Sequence, residues 1–465
     1  MSAMDDLEFE EIEPEEIMEL VDHEKSDDDE IEEEDHEDGE GSSESQRQET
    51  RVYLPGRNDE EMGDDEVLVK DESAYHMYHH AQTGSPCLSF DILKDGLGDS
   101  RVAYPHSVYI VAGSQAEKAH LNHVIVMKMS NMNRTSKPSE EDDDDDEDDD
   151  DSDDEDDKHP ELETAMIDHL GSVNRIRRTT VGDRQVAASW SDTGNVHIWD
   201  LSDPLQALES PAAMAKYMRQ NNSKPLYTFN GHVAEGYALD WSPTVPGTML
   251  SGDCKKHIHM WKLREGGVWN VDQRPYLAHT DSVEDIQWSP NEKNVFASCS
   301  VDKSIRIWDV RAVPSKACML TLEEAHESDV NVIHWNRNDP FILSGGDDGV
   351  INVWDLRQFQ KKASPVAKFK HHTAPITSVE WHPTDSTVFA ASGADDQLTQ
   401  WDLAVEPDDT EGQGSKGNDP DVPPQLLFIH QGQSDIKEVH WHPQIPGVVI
   451  STAQSGFNIF RTISV

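Results

Sequence analysis

A tryptophan recurs at a nearly constant interval through the second half of this 465-residue chain. Intervals of 47, 46 and 47 residues separate Trp261, Trp308, Trp354 and Trp401. Each follows a histidine by 28 or 29 residues, and another tryptophan comes nine residues after that histidine. A fixed period of this length indicates a repeat architecture, in which each unit is one small motif that stacks on its neighbours.

The residues inside each unit are typical of short β-strands. Runs such as VFASCS (295–300) and KSIRIWDV (303–310) are alternating or β-branched and are bounded by turn residues. The Asp348-Gly349 pair lies between two apolar runs, as a tight hairpin turn requires. Four short strands in each unit match the blades of a β-propeller.

Six units run from about 165 to 465, and a diverged seventh is predicted over 106–130. The sequence therefore predicts an all-β fold, a seven-bladed propeller. A strand from the 45–135 region is expected to close the ring on the last unit, because closure protects strand edges. An acidic run, residues 203–228 and residues 404–424 fall between units and are expected to project as inserts, with a short helix over 212–220.

These repeats resemble the WD-repeat family. In that family a histidine, a serine or threonine, an aspartate in a strand turn and the tryptophan form a buried hydrogen-bonded set. The resemblance implies three such sets here: His279, Ser298, Asp302 and Trp308; His326, Ser344, Asp348 and Trp354; and His372, Ser392, Asp395 and Trp401, where the serine is one place out of register. Their role is structural, because a buried indole N–H and imidazole need partners. Lys255 occupies the turn position before Trp261, so an incomplete set is expected there.

The net charge of −55 is concentrated in two segments. Residues 1–66 hold 30 acidic and 4 basic residues, and residues 140–157 hold 17 carboxylates in 18 positions. Both are interpreted as disordered, because they offer little apolar surface to bury and their charges repel. Such charge argues against direct binding to nucleic acid or anionic membranes and favours a basic protein partner. The candidate client-binding carboxylates are Glu140, Glu141, Asp142, Asp143, Asp144, Asp145, Asp146, Glu147, Asp148, Asp149, Asp150, Asp151, Asp153, Asp154, Glu155, Asp156 and Asp157.

The chain divides into a disordered acidic region (1–66), an N-terminal helix with the first blade (67–135), an acidic loop (136–160) and six WD units (161–465). Residues 71–93 resemble the N-terminal segment of the histone-binding retinoblastoma-associated and chromatin-assembly WD proteins. In those proteins a helix packs beside the propeller and leads into the first blade. The histidine-rich stretch 75–80 is accordingly interpreted as an amphipathic helix and not as a metal site.

The combination of acidic N-terminus, this segment, acidic loop and repeats looks most like the glutamate-rich WD-repeat branch, which includes a fungal ribosome-assembly member. The resemblance implies a non-enzymatic chaperone that delivers a basic large-subunit ribosomal protein, the one numbered three, to pre-ribosomes in the nucleus and nucleolus. Extended, the acidic run would reach about 60 Å, at about 3.3 Å per residue, enough to cover a basic tail. It could also be a solvating linker only.

Two alternatives to this function remain open. Histones are the second class of client, on the likeness of 71–93. The third possibility is a substrate receptor of a cullin-type ubiquitin ligase, since two Trp-Asp-x-Arg stretches end at Arg311 and Arg357 and resemble an adaptor-docking box. The alternative for these arginines is a solvated rim position without a partner.

Other sites are expected to be few. No motif of a metalloprotease, hydrolase, P-loop or dinucleotide fold is present, so neither an enzyme nor a cofactor or metal site is predicted. Ser26, Ser139 and Ser152 precede acidic residues, a context that acidophilic kinases favour. The four cysteines form no CxxC pair, which predicts reduced thiols in a cytosolic or nuclear protein.

Overall fold

Seven four-stranded antiparallel sheets make up the computed structural model of this chain. The structure describes residues 71–135, 159–220, 224–359, 364–406 and 422–465, all within one unit, Gly63–Val465. The first strands of successive sheets contact one another around a ring. The predicted seven-bladed propeller is confirmed.

The strands follow one another in chain order within each blade. The first three blades consist of β2 (Cys87–Leu93), β3 (His106–Ser114), β4 (Asn122–Met132) and β5 (Glu161–His169); β6 (Val173–Val181), β7 (Arg184–Ser191), β8 (Val196–Asp200) and β9 (Tyr227–Phe229); and β10 (Ala238–Trp241), β11 (Thr248–Gly252), β12 (Ile258–Leu263) and β13 (Trp269–Val271). The next three consist of β14 (Val283–Trp288), β15 (Val295–Ser300), β16 (Ile305–Asp309) and β17 (Cys318–Leu322); β18 (Val330–Trp335), β19 (Phe341–Gly346), β20 (Ile351–Asp355) and β21 (Ala367–Phe369); and β22 (Ile376–Trp381), β23 (Val388–Gly393), β24 (Leu398–Asp402) and β25 (Leu426–His430). The seventh blade combines β26 (Glu438–Trp441), β27 (Val448–Ala453) and β28 (Gly456–Thr462) with β1 (Tyr75–Ala81).

The ring is closed by β1, which pairs antiparallel with β28 and places Tyr78 opposite Phe460. The predicted closing strand is therefore confirmed, but the amphipathic helix over 75–80 is wrong. The last blade lacks a fourth strand of its own, and Tyr75 and Met77 point into its core with the alternation of a strand. No α-helix occurs in the described part of 71–93, and a helix before residue 71 would lie outside the described residues.

The strand directions divide all connections between two faces. Connections from first to second and from third to fourth strands lie on one face, called the lower face here. Connections from second to third strands and from blade to blade lie on the other, called the upper face. This assignment follows from antiparallel pairing alone, because consecutive strands reverse direction.

All three inserts leave from the lower face. The acidic run joins β4 to β5, residues 203–226 join β8 to β9 and contain helices α1 (Ser202–Ala207) and α2 (Pro211–Tyr217), and the third insert joins β24 to β25. The predicted helix near 212–220 is thus present, but the placement of the inserts between units is wrong. Each repeating tryptophan ends a third strand, so the sequence unit is offset by one strand from the blade. The first blade correspondingly extends past residue 135 to include β5.

The core consists of aromatic and aliphatic layers within and between blades. Trp308 stacks on Phe296 with ring centroids 5.5 Å apart, and Trp401 stacks on Phe389 at 6.0 Å. All four cysteines are unpaired. Neither α-helix of the described residues is long and apolar enough to cross a membrane.

Candidate functional site

The first predicted set of buried polar residues is assembled in the fourth blade. His279 Nδ1 lies 2.9 Å from Asp302 and its Nε2 lies 2.7 Å from the Ser298 hydroxyl, to which Trp308 Nε1 donates at 2.8 Å. Burial opposes ionisation of Asp302, but the hydrogen bonds from His279 and Ser304 dominate and lower its pKa. The set links the upper-face turn to the blade core, which is a structural role.

The fifth and sixth blades repeat this geometry with one correction. His326 lies between Asp348 (3.0 Å) and Ser344 (2.7 Å), and Trp354 donates to Ser344. In the sixth blade, the assignment of Ser392 is wrong, and Thr399 takes its place. His372 Nε2 lies 3.0 Å from the Thr399 hydroxyl, to which Trp401 Nε1 donates at 2.7 Å, while His372 Nδ1 lies 2.9 Å from Asp395. Thr399 lies on the same strand as Trp401, two residues earlier, and so reaches the same space.

The set expected to be incomplete is complete in the third blade. His232 lies 3.0 Å from Asp253 and 2.7 Å from Ser251, and Trp261 donates to Ser251. Asp253 comes directly after β11, before the turn position that holds Lys255. The carboxylate also accepts from the backbone N–H groups of Lys255 and His257, so it shapes the turn from its first residue.

The upper face is strongly acidic. Its connections hold sixteen carboxylates and only seven lysines or arginines, and the set of carboxylates is called the acidic face here. Its members are Glu117, Asp192, Glu235, Asp253, Asp272, Asp281, Asp302, Glu323, Glu324, Glu327, Asp329, Asp347, Asp348, Asp395, Asp396 and Asp435. The described connections of the lower face instead hold ten carboxylates and twelve cations.

One sector of the acidic face contains carboxylates that raise one another's pKa. Burial raises the pKa of Asp329, and the charges of Asp347 and Asp281 raise it further. Burial likewise raises the pKa of Glu284, to which Asp329 and Asp347 also contribute. Carboxylates that repel one another in this way are stabilised by an approaching cation. This sector, formed by the fourth and fifth blades, therefore favours a positively charged partner.

The two predicted docking arginines are exposed on the lower face. The guanidinium of Arg311 is 71% exposed and bonds both carboxylate oxygens of Asp309. Arg357 is 67% exposed and bonds both oxygens of Asp355, with Nε–Oδ1 at 2.8 Å. Each arginine thus lies over the aspartate two residues before it and remains accessible to a partner.

The other predicted binding residues lie outside the described residues. These are the acidic run, 140–157, and Ser26, Ser139 and Ser152. The flanks of the run are described: Thr135 bonds β1 through Tyr78, and the His159 carbonyl accepts from Asn131. The acidic run is therefore attached at the lower face of the first blade.

The histidines considered as metal ligands have protein partners. His79 Nε2 lies 2.9 Å from the Asn133 carbonyl, His257 contacts Asp253, and His259 contacts the Asp272 carbonyl. Across the described ranges, no group of three potential ligands is placed to hold a metal ion.

The sequence interpretation missed a charged network in the central channel. Glu438 on β26 is 1% exposed and accepts from Arg175 at 2.7 Å and from Arg177 at 2.6 Å. Its carboxylate also accepts from Ser89 and from the backbone N–H of Phe90, and so joins the seventh blade to the first and second. The signal was the cluster of three arginines at 175, 177 and 178 in one strand of an otherwise acidic chain.

His440, next to this network, carries a positive charge. Burial opposes its protonation, but the carboxylates of Glu380 and Glu438 dominate and raise its pKa to about 10. Asp240 behaves in the opposite sense, because burial raises its pKa to about 8 although it accepts a hydrogen bond from the Trp288 backbone. Near neutral pH the network therefore holds two arginines and a protonated histidine, while the Asp240 carboxyl beside them is mostly neutral.

Comparison with known proteins assigns parts of this chain to described families. Residues 65–133 match the family described as histone-binding protein RBBP4 or a component of the CAF1 complex. Residues 272–309, 316–355 and 363–402 match the WD domain, G-beta repeat.

Three relatives cover most of the chain. It is 45% identical to ribosome assembly protein rrb1 of Schizosaccharomyces pombe over 89% of this chain and 84% of the relative. It is 46% identical to protein HEAT STRESS TOLERANT DWD 1 of Arabidopsis thaliana, over 90% and 92%. It is 46% identical to glutamate-rich WD repeat-containing protein 1 of Dictyostelium discoideum, over 86% and 82%. The chain belongs to the WD-repeat family that contains ribosome assembly protein rrb1 and glutamate-rich WD repeat-containing protein 1.

Proposed function

We propose that this protein is a non-enzymatic WD-repeat chaperone of ribosome biogenesis, which binds a basic large-subunit ribosomal protein and delivers it to pre-ribosomes in the nucleus and nucleolus. The likeness to ribosome assembly protein rrb1 supports the process. The observation that carries the proposal is the segregation of charge on the propeller, with sixteen carboxylates against seven cations on the upper face.

The acidic face supplies the rigid part of the binding surface. Blade-to-blade connections hold Asp281 and Asp329 at fixed positions, while Asp347 sits in a second-to-third-strand turn. Preorganised carboxylates of one sign steer a cationic partner and lose little freedom when it binds. Large negative surfaces repel RNA phosphates, so a client held there is protected from premature contact with RNA.

The acidic run supplies a second, separate anionic element. It carries 17 carboxylates and is attached at the lower face, where the described connections are not acidic. We propose that it covers basic extensions of the same client that project past the rim of the propeller. Its contribution should fall steeply with salt, because exposed charges are screened over about 10 Å at 0.1 M ionic strength.

Charge neutralisation with a matched control tests the acidic face. The triple variant Asp281→Asn, Asp329→Asn and Asp347→Asn removes three negative charges from the upper face. Calorimetric titration with the purified ribosomal protein at 0.1 M salt should show at least a tenfold loss of affinity. The control Glu209→Gln, Glu265→Gln and Glu292→Gln removes three exposed charges from the lower face. Equal loss in both variants would show that only net charge matters.

Histones are a second candidate client class, favoured by the match of residues 65–133 to the RBBP4 family. Parallel titration with an H3–H4 complex separates the two classes. Tighter binding of histones than of the ribosomal protein, with dependence on the first blade, would replace the leading proposal.

Recruitment to a cullin-type ubiquitin ligase stays a third proposal. Its support is the exposure of Arg311 and Arg357 on one face. The double variant Arg311→Ala and Arg357→Ala should abolish capture of the ligase adaptor and leave client affinity unchanged. Arg264→Ala, an exchange in a neighbouring lower-face turn, is the control. Retention of adaptor binding in the double variant excludes these arginines as the docking site.

A further inference from the structure

The lower end of the central channel encloses a cavity of about 530 Å³. Residues from the first strands of all seven blades line it, from Asp91 on β2 to His440 on β26. Cavities of this volume are in the range of small-molecule sites. It opens on the face opposite the acidic face, so its occupant is independent of the proposed client.

Three cations at the mouth of this cavity are unused by the protein. Lys94, Arg178 and Arg337 line it, and none of their side chains makes an ion pair or hydrogen bond with another described residue. They differ in this from Arg175 and Arg177, which are held by Glu438 deeper in the channel. Lys94 and Arg178 belong to the first and second blades, whereas Arg337 belongs to the fifth, so the cations lie on separate sides of the ring.

Trp288 offers a hydrogen-bond donor to the same cavity. It is 3% exposed, and its indole nitrogen has no acceptor among the described residues. The corresponding indoles of Trp241, Trp381 and Trp441 donate to backbone carbonyls of the preceding blade, at 2.9, 3.2 and 3.2 Å. A buried N–H without an acceptor is unfavourable, and a ligand oxygen would satisfy it.

We propose that this cavity binds a compact polyphosphorylated small molecule. Arginine and lysine form short charge-assisted hydrogen bonds to phosphate oxygens, and arginine does so with two parallel donors. Cations on separate sides of the ring require a ligand with at least two separated anionic groups, which a single carboxylate or phosphate does not provide. The Trp288 indole donates to one further oxygen. The unpaired arginines then acquire the counter-charges that the protein itself does not supply.

Calorimetric titration of the full chain with inorganic tripolyphosphate at low ionic strength tests the site. We expect one equivalent to bind, and the double variant Arg178→Gln and Arg337→Gln to lose at least tenfold in affinity. Arg264→Gln on the same face but outside the cavity should change affinity less than twofold. Trp288→Phe, with folding checked by circular dichroism, should weaken binding severalfold.

Several outcomes would overturn the proposal. They are absence of binding, several weak equivalents, or equal loss in Arg264→Gln, which would indicate diffuse attraction to the lower face. A peptide carrying two phosphoserines is titrated in parallel to distinguish the source of the phosphate groups. Weaker binding of the peptide supports a free small molecule, and tighter binding through the same arginines overturns it. Tighter binding of a single-stranded RNA oligonucleotide through these arginines would overturn it equally.

Discussion

Replacement of Glu438 by glutamine should destabilise the propeller more than any single exposed charge change. Its carboxylate is 1% exposed and receives two arginines, a serine hydroxyl and a backbone N–H from two neighbouring blades. Glutamine keeps the shape but leaves Arg175 and Arg177 without their counter-charge. Removing one partner of a buried ion pair costs about 3–5 kcal/mol, because the remaining charge is desolvated and uncompensated.

The corresponding change in melting temperature follows from the size of the folded unit. About 400 residues at about 2.1 cal/mol/K each give an unfolding entropy near 0.8 kcal/mol/K, so Tm should fall by about 4–6 °C. Differential scanning calorimetry of Glu438→Gln and of the exposed control Glu292→Gln measures this. The control should shift by less than about 1 °C, since exposed charges contribute little.

The pH dependence gives an independent check of the cause. Burial opposes ionisation of Glu438, but the two arginines outweigh it and keep the pKa of this carboxyl well below its ordinary value. Its stabilisation is thus present above the unfolded pKa of about 4.3 and is lost as pH falls through the folded pKa. The difference between wild type and Glu438→Gln should narrow below about pH 4. A Tm equal to that of the control at pH 7, or a constant difference at all pH values, refutes the reasoning.

Three further results are expected. Deletion of residues 140–157 should weaken client binding at low salt and flatten the dependence of affinity on salt; unchanged affinity would leave the run as a linker only. Ser298→Ala removes the partner of Trp308 and His279 and should cost about 1–3 kcal/mol in urea denaturation, whereas Ser392→Ala, outside its blade's set, should cost less. Because burial raises the pKa of Asp240 to about 8, its stabilisation is complete below about pH 4 and is lost as pH rises through 8. Asp240→Asn should therefore gain about 1–3 kcal/mol relative to wild type at pH 9 and little at pH 5, and equal effects at both values would contradict this assignment.

The sequence by itself determined the architecture. A period set by Trp261, Trp308, Trp354 and Trp401 fixes the repeat, because each unit must bury one face against the next. The hydrogen-bonded sets of the fourth and fifth blades were equally predictable, since their members recur at constant spacing. The acidic run was visible from composition alone.

Only the tertiary structure decided which residues share a surface. Residues 75–80 form a strand and not a helix because the last blade lacks a fourth strand, which is a property of the closed ring. Thr399 replaces Ser392 because alternation on β24 points it at Trp401. The acidic face and the channel network gather side chains from blades far apart in the chain, and strand direction assigns each to its face. Periodicity is a local property of the sequence, whereas these charge clusters arise only when the ring brings distant turns together.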